Sequence, residues 1–167
     1  MNAHDNARLR DFIIEHGLAA KLIAADASMP TVPLAAAALG VPESKVVKTI
    51  VFEGKRVTGS TAIAIVTGDT RVDRGRVAAL LGLPTLKLAA AETVVRVTGF
   101  EIGGVPPVGH VSRVPVVVDR TVIDHDLVYG GGGDEGHMLE ITPSDIVRLT
   151  NAMVADITLH DGIRSTS

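Results

Sequence analysis

Two runs rich in β-branched residues, Val46–Phe52 and Val57–Thr67, carry Glu53–Gly54–Lys55 between them. Branching at Cβ stiffens these side chains and suits them to a pleated surface better than to a helix. With a glycine in the short connection, the pair reads as a β-hairpin. An isolated hairpin is marginal in water, so the rest of the chain must supply further strands and helices to cover it.

Those elements are legible on both sides. Leu9, Phe12, Ile13 and His16 fall at helical spacing, with Gly17 as a stop. Thr31 and Pro33 open an alanine-rich helix ending at Gly40. Asp73 caps a helix through Leu81 that Gly82 and Pro84 end, Ala90–Val97 is a short helix closed by Gly99, and Thr142–Pro143–Ser144–Asp145 opens a last helix to about Asn151. Short strands are expected at Ala19–Ala24, Thr85–Leu88, Val114–Val118, Leu127–Tyr129, His137–Ile141 and Met153–Thr158. Hairpins interleaved with helices predict an α/β fold, a mixed and partly barrel-like sheet of about seven strands flanked by helices. No repeat, tail or linker interrupts the 167 residues, so one domain over 1–167 is expected. A chain of this size buries roughly 70% of its unfolded surface and needs no staple.

Composition narrows the chemistry. Zero cysteines remove disulfides, thiolate metal sites and thiol nucleophiles. Met1–Arg10 is polar, and no apolar run reaches the ~18 residues of a membrane span, so a soluble cytoplasmic protein is expected, with no membrane partner. The net charge of −3 and 2% aromatic content argue against DNA binding and against a long single-strand platform, which needs basic grooves and stacking rings. Any contact with RNA should be confined to a short end.

Two features carry chemistry. In Val46–Phe52 the alternation places Lys48 on one face with Val46, Ile50 and Phe52. An ammonium on an apolar face is costly unless partnered; either it snorkels to water or it holds an oxygen at the mouth of a pocket. The second feature is the run Gly99–His110, where Gly99, Gly103, Gly104 and Gly109 accompany Pro106 and Pro107. Glycine permits close backbone approach and positive φ, and N–H groups in such a loop form a concave site for an anion or carbonyl. An ordinary turn-rich connection is the alternative.

Other signals lack context. Gly131-x-Gly133-x-x-Gly136 has the dinucleotide spacing but precedes a strand-like run instead of a helix, and reads as a mobile hairpin tip. The histidines at 4, 16, 110, 125, 137 and 160 form no metal-ligand spacing, Asp124–His125–Asp126 reads as a solvated turn, and no serine sits in a nucleophile elbow. No metal or cofactor is expected.

Taken together, the alanine-rich helix ending Leu39–Gly40–Val41–Pro42, the strand Val47–Lys48–Thr49–Ile50–Val51–Phe52, Asp73 with its helix, the run Thr98–Gly109, Val116–Asp119 and the closing Asp145–Leu149 resemble the YbaK family, related to the editing domain of bacterial prolyl-tRNA synthetases. The resemblance spans about Thr31–Ile157. It implies a mixed, barrel-like sheet and hydrolysis of the ester of mischarged tRNA, with the aminoacylated 3′ end as partner and a synthetase as a second one. It also implies Lys48 as the residue needed for activity. Gly103, Gly104 and Gly109 match the loop closing on the aminoacyl-adenosine; Thr49, Pro106, His110 and Asp119 are further pocket candidates. Pro106 stands where many relatives carry serine, a departure that bears on selectivity. Val46 and Ile50 suggest a small amino acid. A non-catalytic binding module with the same pocket, or a hydrolase of small esters or thioesters, are the competing readings.

Overall fold

The computed structural model describes residues 3–25, 28–56 and 59–159. Its element order is α1 (Ala3–Glu15), β1 (Lys21–Ala24), α2 (Val32–Leu39), a 3-10 turn (Glu43–Lys45), β2 (Val47–Gly54), β3 (Thr61–Thr67), α3 (Arg74–Leu81), β4 (Leu86–Leu88), α4 (Ala91–Thr98), β5 (Val116–Asp119), α5 (Arg120–Ile123), β6 (Val128–Gly131), β7 (His137–Ile141), α6 (Pro143–Thr150) and β8 (Met153–Ala155).

The helices begin and end where cap chemistry dictates. The Thr31 side chain accepts from the Leu34 N–H, Asp73 from Arg76 and Thr142 from Asp145, each satisfying a first-turn donor that the helix itself cannot. Gly40, Gly82 and Gly99 close α2, α3 and α4 in the left-handed conformation.

The expected hairpin is present: β2 and β3 pair antiparallel from Val47↔Thr67 to Glu53↔Thr61. Its connection differs from the reading above. β2 runs on through Gly54 because β4 pairs with it at Phe52–Gly54, so two of the three expected turn residues belong to the strand. β3 begins at Thr61 instead of Val57; Val57 and Thr58 lie outside the described residues.

The described strands number eight and form two sheets, where one partly barrel-like sheet of about seven was expected. Five are ordered β4-β2-β3-β5-β8 and three β1-β7-β6. β5 lies parallel to both β3 and β8, each reached by a crossover containing helices, while the remaining pairs are antiparallel. A bridge between Val46 and Tyr129 brings the sheets together beside β2.

The period of two sorts the larger sheet's side chains. Val47, Val51, Ile63, Ile65, Val116 and Val118 pack on one face with Val94, Val97, Val128, Leu139 and Ile146. Phe52, Ala62, Ala64, Val66 and Val117 pack on the other with Val77 of α3 and Ile157. Ile63, Ile65 and Val118 are fully buried, and each contributes about 1.5–3 kcal/mol by leaving water. A sheet packed on both faces holds its strands rigidly, which matters for the lysine on β2.

Candidate functional site

β4 pairs with β2 at Phe52–Gly54, and the Ala89 N–H just beyond it donates to the Val51 carbonyl oxygen. The stretch Val47–Ile50 has no β4 partner, and a cavity of about 340 Å³ opens along it. Lys48 and Thr49 line it from β2, Leu88 from β4, Ala89 from the connection that follows, Val94 from α4, Ile102, Gly103 and Val105 from the glycine–proline loop, and Gly131 and Met138 from the β6–β7 hairpin. Aliphatic walls with few polar groups are the usual make-up of a small-ligand site, and this volume is at the lower end of such sites.

Lys48 is half-buried, and its Nζ donates to the Thr70 carbonyl oxygen at 2.6 Å. That carbonyl belongs to a turn fixed by Thr70, whose N–H and hydroxyl both donate to the Thr67 carbonyl oxygen. An ammonium has three donors, so the Thr70 bond orients the group and leaves two for a ligand. Burial lowers the Lys48 pKa from the ordinary lysine value; Asp69 opposes that shift, Arg71 reinforces it and Glu43 opposes it.

Thr49 projects to the other side of the strand, where its register partner is Ile65. Its Oγ1 is buried without a hydrogen-bond partner among the described residues. Leaving a buried hydroxyl unsatisfied costs about 1–3 kcal/mol, and Thr49 is among the residues that line the cavity.

The loop reaches the cavity through Gly103, which adopts φ 98°, a conformation favouring glycine. Gly104 makes a different contribution. Its N–H closes a turn onto the Glu101 carbonyl at 3.1 Å, and its carbonyl accepts from the Gly133 N–H at 2.9 Å. A Cβ on Gly104 would stand 2.7 Å from the Asp134 backbone, and one on Gly131 would overlap the Val105 carbonyl oxygen. The hairpin connection Gly132–Gly136, expected as a mobile tip, is thus docked on the loop, and Asn6 of α1 donates to its Gly132 carbonyl at 2.9 Å. As expected, a strand and no helix follows these glycines.

The remaining site candidates go elsewhere. Pro106 is buried, and its carbonyl oxygen is 2.7 Å from Nε2 of His110. Gly109 and His110 border a second cavity with Phe12, Ser112 and Arg113, not the one at Lys48. Asp119 is 1% exposed and holds the fold: its carboxylate accepts from the Thr121 N–H and hydroxyl and from the Ile157 N–H. It caps α5, a single turn that the strand-and-helix reading missed. The spacing of an acid two residues before a threonine was the available signal. Leu88, Val94 and Ile102 line the cavity without having been singled out, because they carry no local signature of binding. Among the described residues no group of three or more acidic or histidine side chains is placed to hold a metal, and no helix is long and apolar enough to cross a membrane.

His110 yields a stability prediction. Burial lowers its pKa below the ordinary 6.5; the Pro106 bond opposes this and Arg8 reinforces it. As pH falls through 6.5 the unfolded chain takes up a proton that the native imidazole refuses, so stability declines until the depressed native pKa is passed. Denaturant midpoints between pH 7.5 and 5.5 should fall less in His110→Gln than in the parent chain; equal slopes would remove His110 from the acid response.

Residues 26–149 match the family model described as the aminoacyl-tRNA editing domain. The chain is 26% identical over 123 residues to EbsC of Enterococcus faecalis, named as a candidate Cys-tRNA(Pro)/Cys-tRNA(Cys) deacylase, covering 74% of each protein. It is 34% identical over 121 residues to the proline–tRNA ligase of Geobacter metallireducens, covering 71% of this chain and 20% of the ligase; it therefore corresponds to about a fifth of that enzyme. A solved structure described as a candidate trans-editing enzyme for prolyl-tRNA synthetase superposes with a TM-score of 0.84 at 32% identity, covering 96% of this chain and all of the other.

Proposed function

The chain belongs to the aminoacyl-tRNA editing domain family, and from that premise we propose that it is one editing domain, a cytoplasmic hydrolase cleaving the ester of mischarged tRNA in trans with Lys48 as its principal catalytic residue. The observation that carries this reading is that one cavity is lined both by an oriented Lys48 ammonium and by Thr49, whose hydroxyl has no partner among the described residues.

An aminoacyl ester is already activated. Water adds to its carbonyl carbon, the developing oxyanion needs donors, and collapse releases the ribose oxygen, which takes a proton, leaving free amino acid and tRNA. No protein nucleophile is required; orientation and electrostatic stabilisation suffice. The two remaining donors of Lys48 serve the carbonyl or a neighbouring phosphate oxygen, and a ribose hydroxyl of the terminal adenosine helps to position the water. Thr49 provides a further polar contact. The cavity's aliphatic walls favour a small amino-acid side chain, in keeping with the cysteine in the name of the enterococcal relative. A tRNA for proline is the first substrate to test, given the ligases and the prolyl-tRNA synthetase partner named among the relatives.

The test is a panel of mischarged tRNAs, assayed for deacylation with and without prolyl-tRNA synthetase. Turnover of at least one small-amino-acid ester is expected, and no turnover across the panel would end the proposal. Thr49→Val gives a second expectation, since it removes the orphaned hydroxyl at nearly constant shape. The variant should be as stable as its parent or more stable by up to about 1 kcal/mol, while deacylation efficiency falls by about tenfold, the loss of one hydrogen bond to substrate. A variant that is less stable and equally active would show that Thr49 serves packing alone.

A further inference from the structure

Among the large aliphatic side chains lining the cavity, all but two are buried or half-buried. The exceptions stand on different elements: Leu88, at the end of β4, is 63% exposed and Ile102, in the glycine–proline loop, is 61% exposed. Two large exposed aliphatics at the mouth of one cavity form a surface that water solvates poorly and a ligand covers well. None of the described lining residues is aromatic, so they offer no ring-on-base stacking of the kind common in RNA-binding proteins.

The occupant follows from the layout of the cavity, and this step rests on the deacylase reading above. The ester and amino acid must lie beside Lys48 and Thr49, the polar positions on β2. The ribose connects the ester to the base, so the base reaches the rim while the reacting carbonyl stays inside. We propose that Leu88 and Ile102 form an aliphatic seat for the base of the 3′-terminal adenosine, recognising its flat apolar face. Recognition by face is indifferent to the hydrogen-bonding edges of the base. It suits a site that must accept the end of a tRNA without reading its sequence, and it fits a chain with 2% aromatic residues. Leu88 and Ile102 are therefore positioning residues, acting on substrate binding and not on the chemical step.

Because both side chains are exposed, Leu88→Ser with Ile102→Ser should fold normally, which a thermal melt checks. The double variant should raise KM for mischarged tRNA about tenfold, a loss of about 1.4 kcal/mol in binding, with kcat within twofold; Leu88→Met with Ile102→Leu should restore KM. A fall in kcat at unchanged KM would overturn the proposal. Independently, the Leu88 and Ile102 methyl resonances of the parent chain should shift on titration with adenosine 5′-monophosphate more than with uridine 5′-monophosphate. Methyls that respond to neither nucleotide would also overturn it. Absence of turnover in the parent chain would remove the activity assigned above, while the methyl titration would still decide the base site by itself.

Discussion

Replacing Lys48 with alanine is expected to lower deacylation of mischarged tRNA by at least about 100-fold, with little change in melting temperature. The first half follows from the donor count. The ammonium keeps two donors after bonding to the Thr70 carbonyl, and removing a single oxyanion-stabilising donor typically costs about 10²–10³ in rate. The second half follows from burial. Holding a half-buried charge in the fold is itself unfavourable, which is why its pKa is lowered; deleting it relieves that cost, while water can reach the half-exposed Thr70 turn and replace the lost donor. Arginine should rescue poorly, since a planar fork cannot reproduce a compact ammonium seated on one carbonyl. The lowered pKa has its own signature. Lys48 must be protonated to donate, so activity corrected for spontaneous ester hydrolysis should decline on the alkaline side at a pH below the 10.5 of an ordinary lysine. A Lys48→Ala protein that keeps its turnover would remove the ammonium from the mechanism.

What made Lys48 visible in the sequence was a conflict between its charge and its neighbours on one strand face, a property that depends on a few consecutive residues. The helix limits were readable for the same reason: Thr31, Asp73 and Thr142 bond to N–H groups three residues away, and Gly40, Gly82 and Gly99 relieve steric strain in place. The division of the strands between two sheets was not readable, because it depends on pairings such as Lys21↔Glu140 and Ile63↔Val116, set by packing between segments far apart in the chain. The candidate site divides along the same line. Lys48, Thr49 and Gly103 meet at one cavity, whereas Asp119 and His110, equally attractive as residue types, are tied to Ile157 and Pro106. Residue chemistry named the candidates; long-range hydrogen bonds determined which of them had groups left over for a ligand.

The glycines of the β6–β7 hairpin put that division to its sharpest test. Gly131 lines the cavity, and a methyl group there would overlap the Val105 carbonyl oxygen and crowd the Gly104 backbone. Both neighbours are main chain, so no rotamer change can relieve the clash, and the Gly103–Val105 segment must move off the hairpin. Gly131→Ala should therefore destabilise the protein by about 2–3 kcal/mol, the upper part of the range for overpacking. It should also lower deacylation by about 100-fold even where the variant is fully folded, because a shift of about 1 Å in a positioning element has an effect of that order. Gly136, five residues on in the same glycine-rich stretch, supplies the control. A Cβ there meets only the Asp134 carboxylate, at an ordinary 3.5 Å, and alanine retains the N–H that donates to it. Gly136→Ala should consequently match the parent in both stability and turnover. If the two variants behave alike, close approach of loop and hairpin is not what shapes the cavity; if only Gly131→Ala fails, a residue with no chemistry of its own governs the site by lacking a side chain.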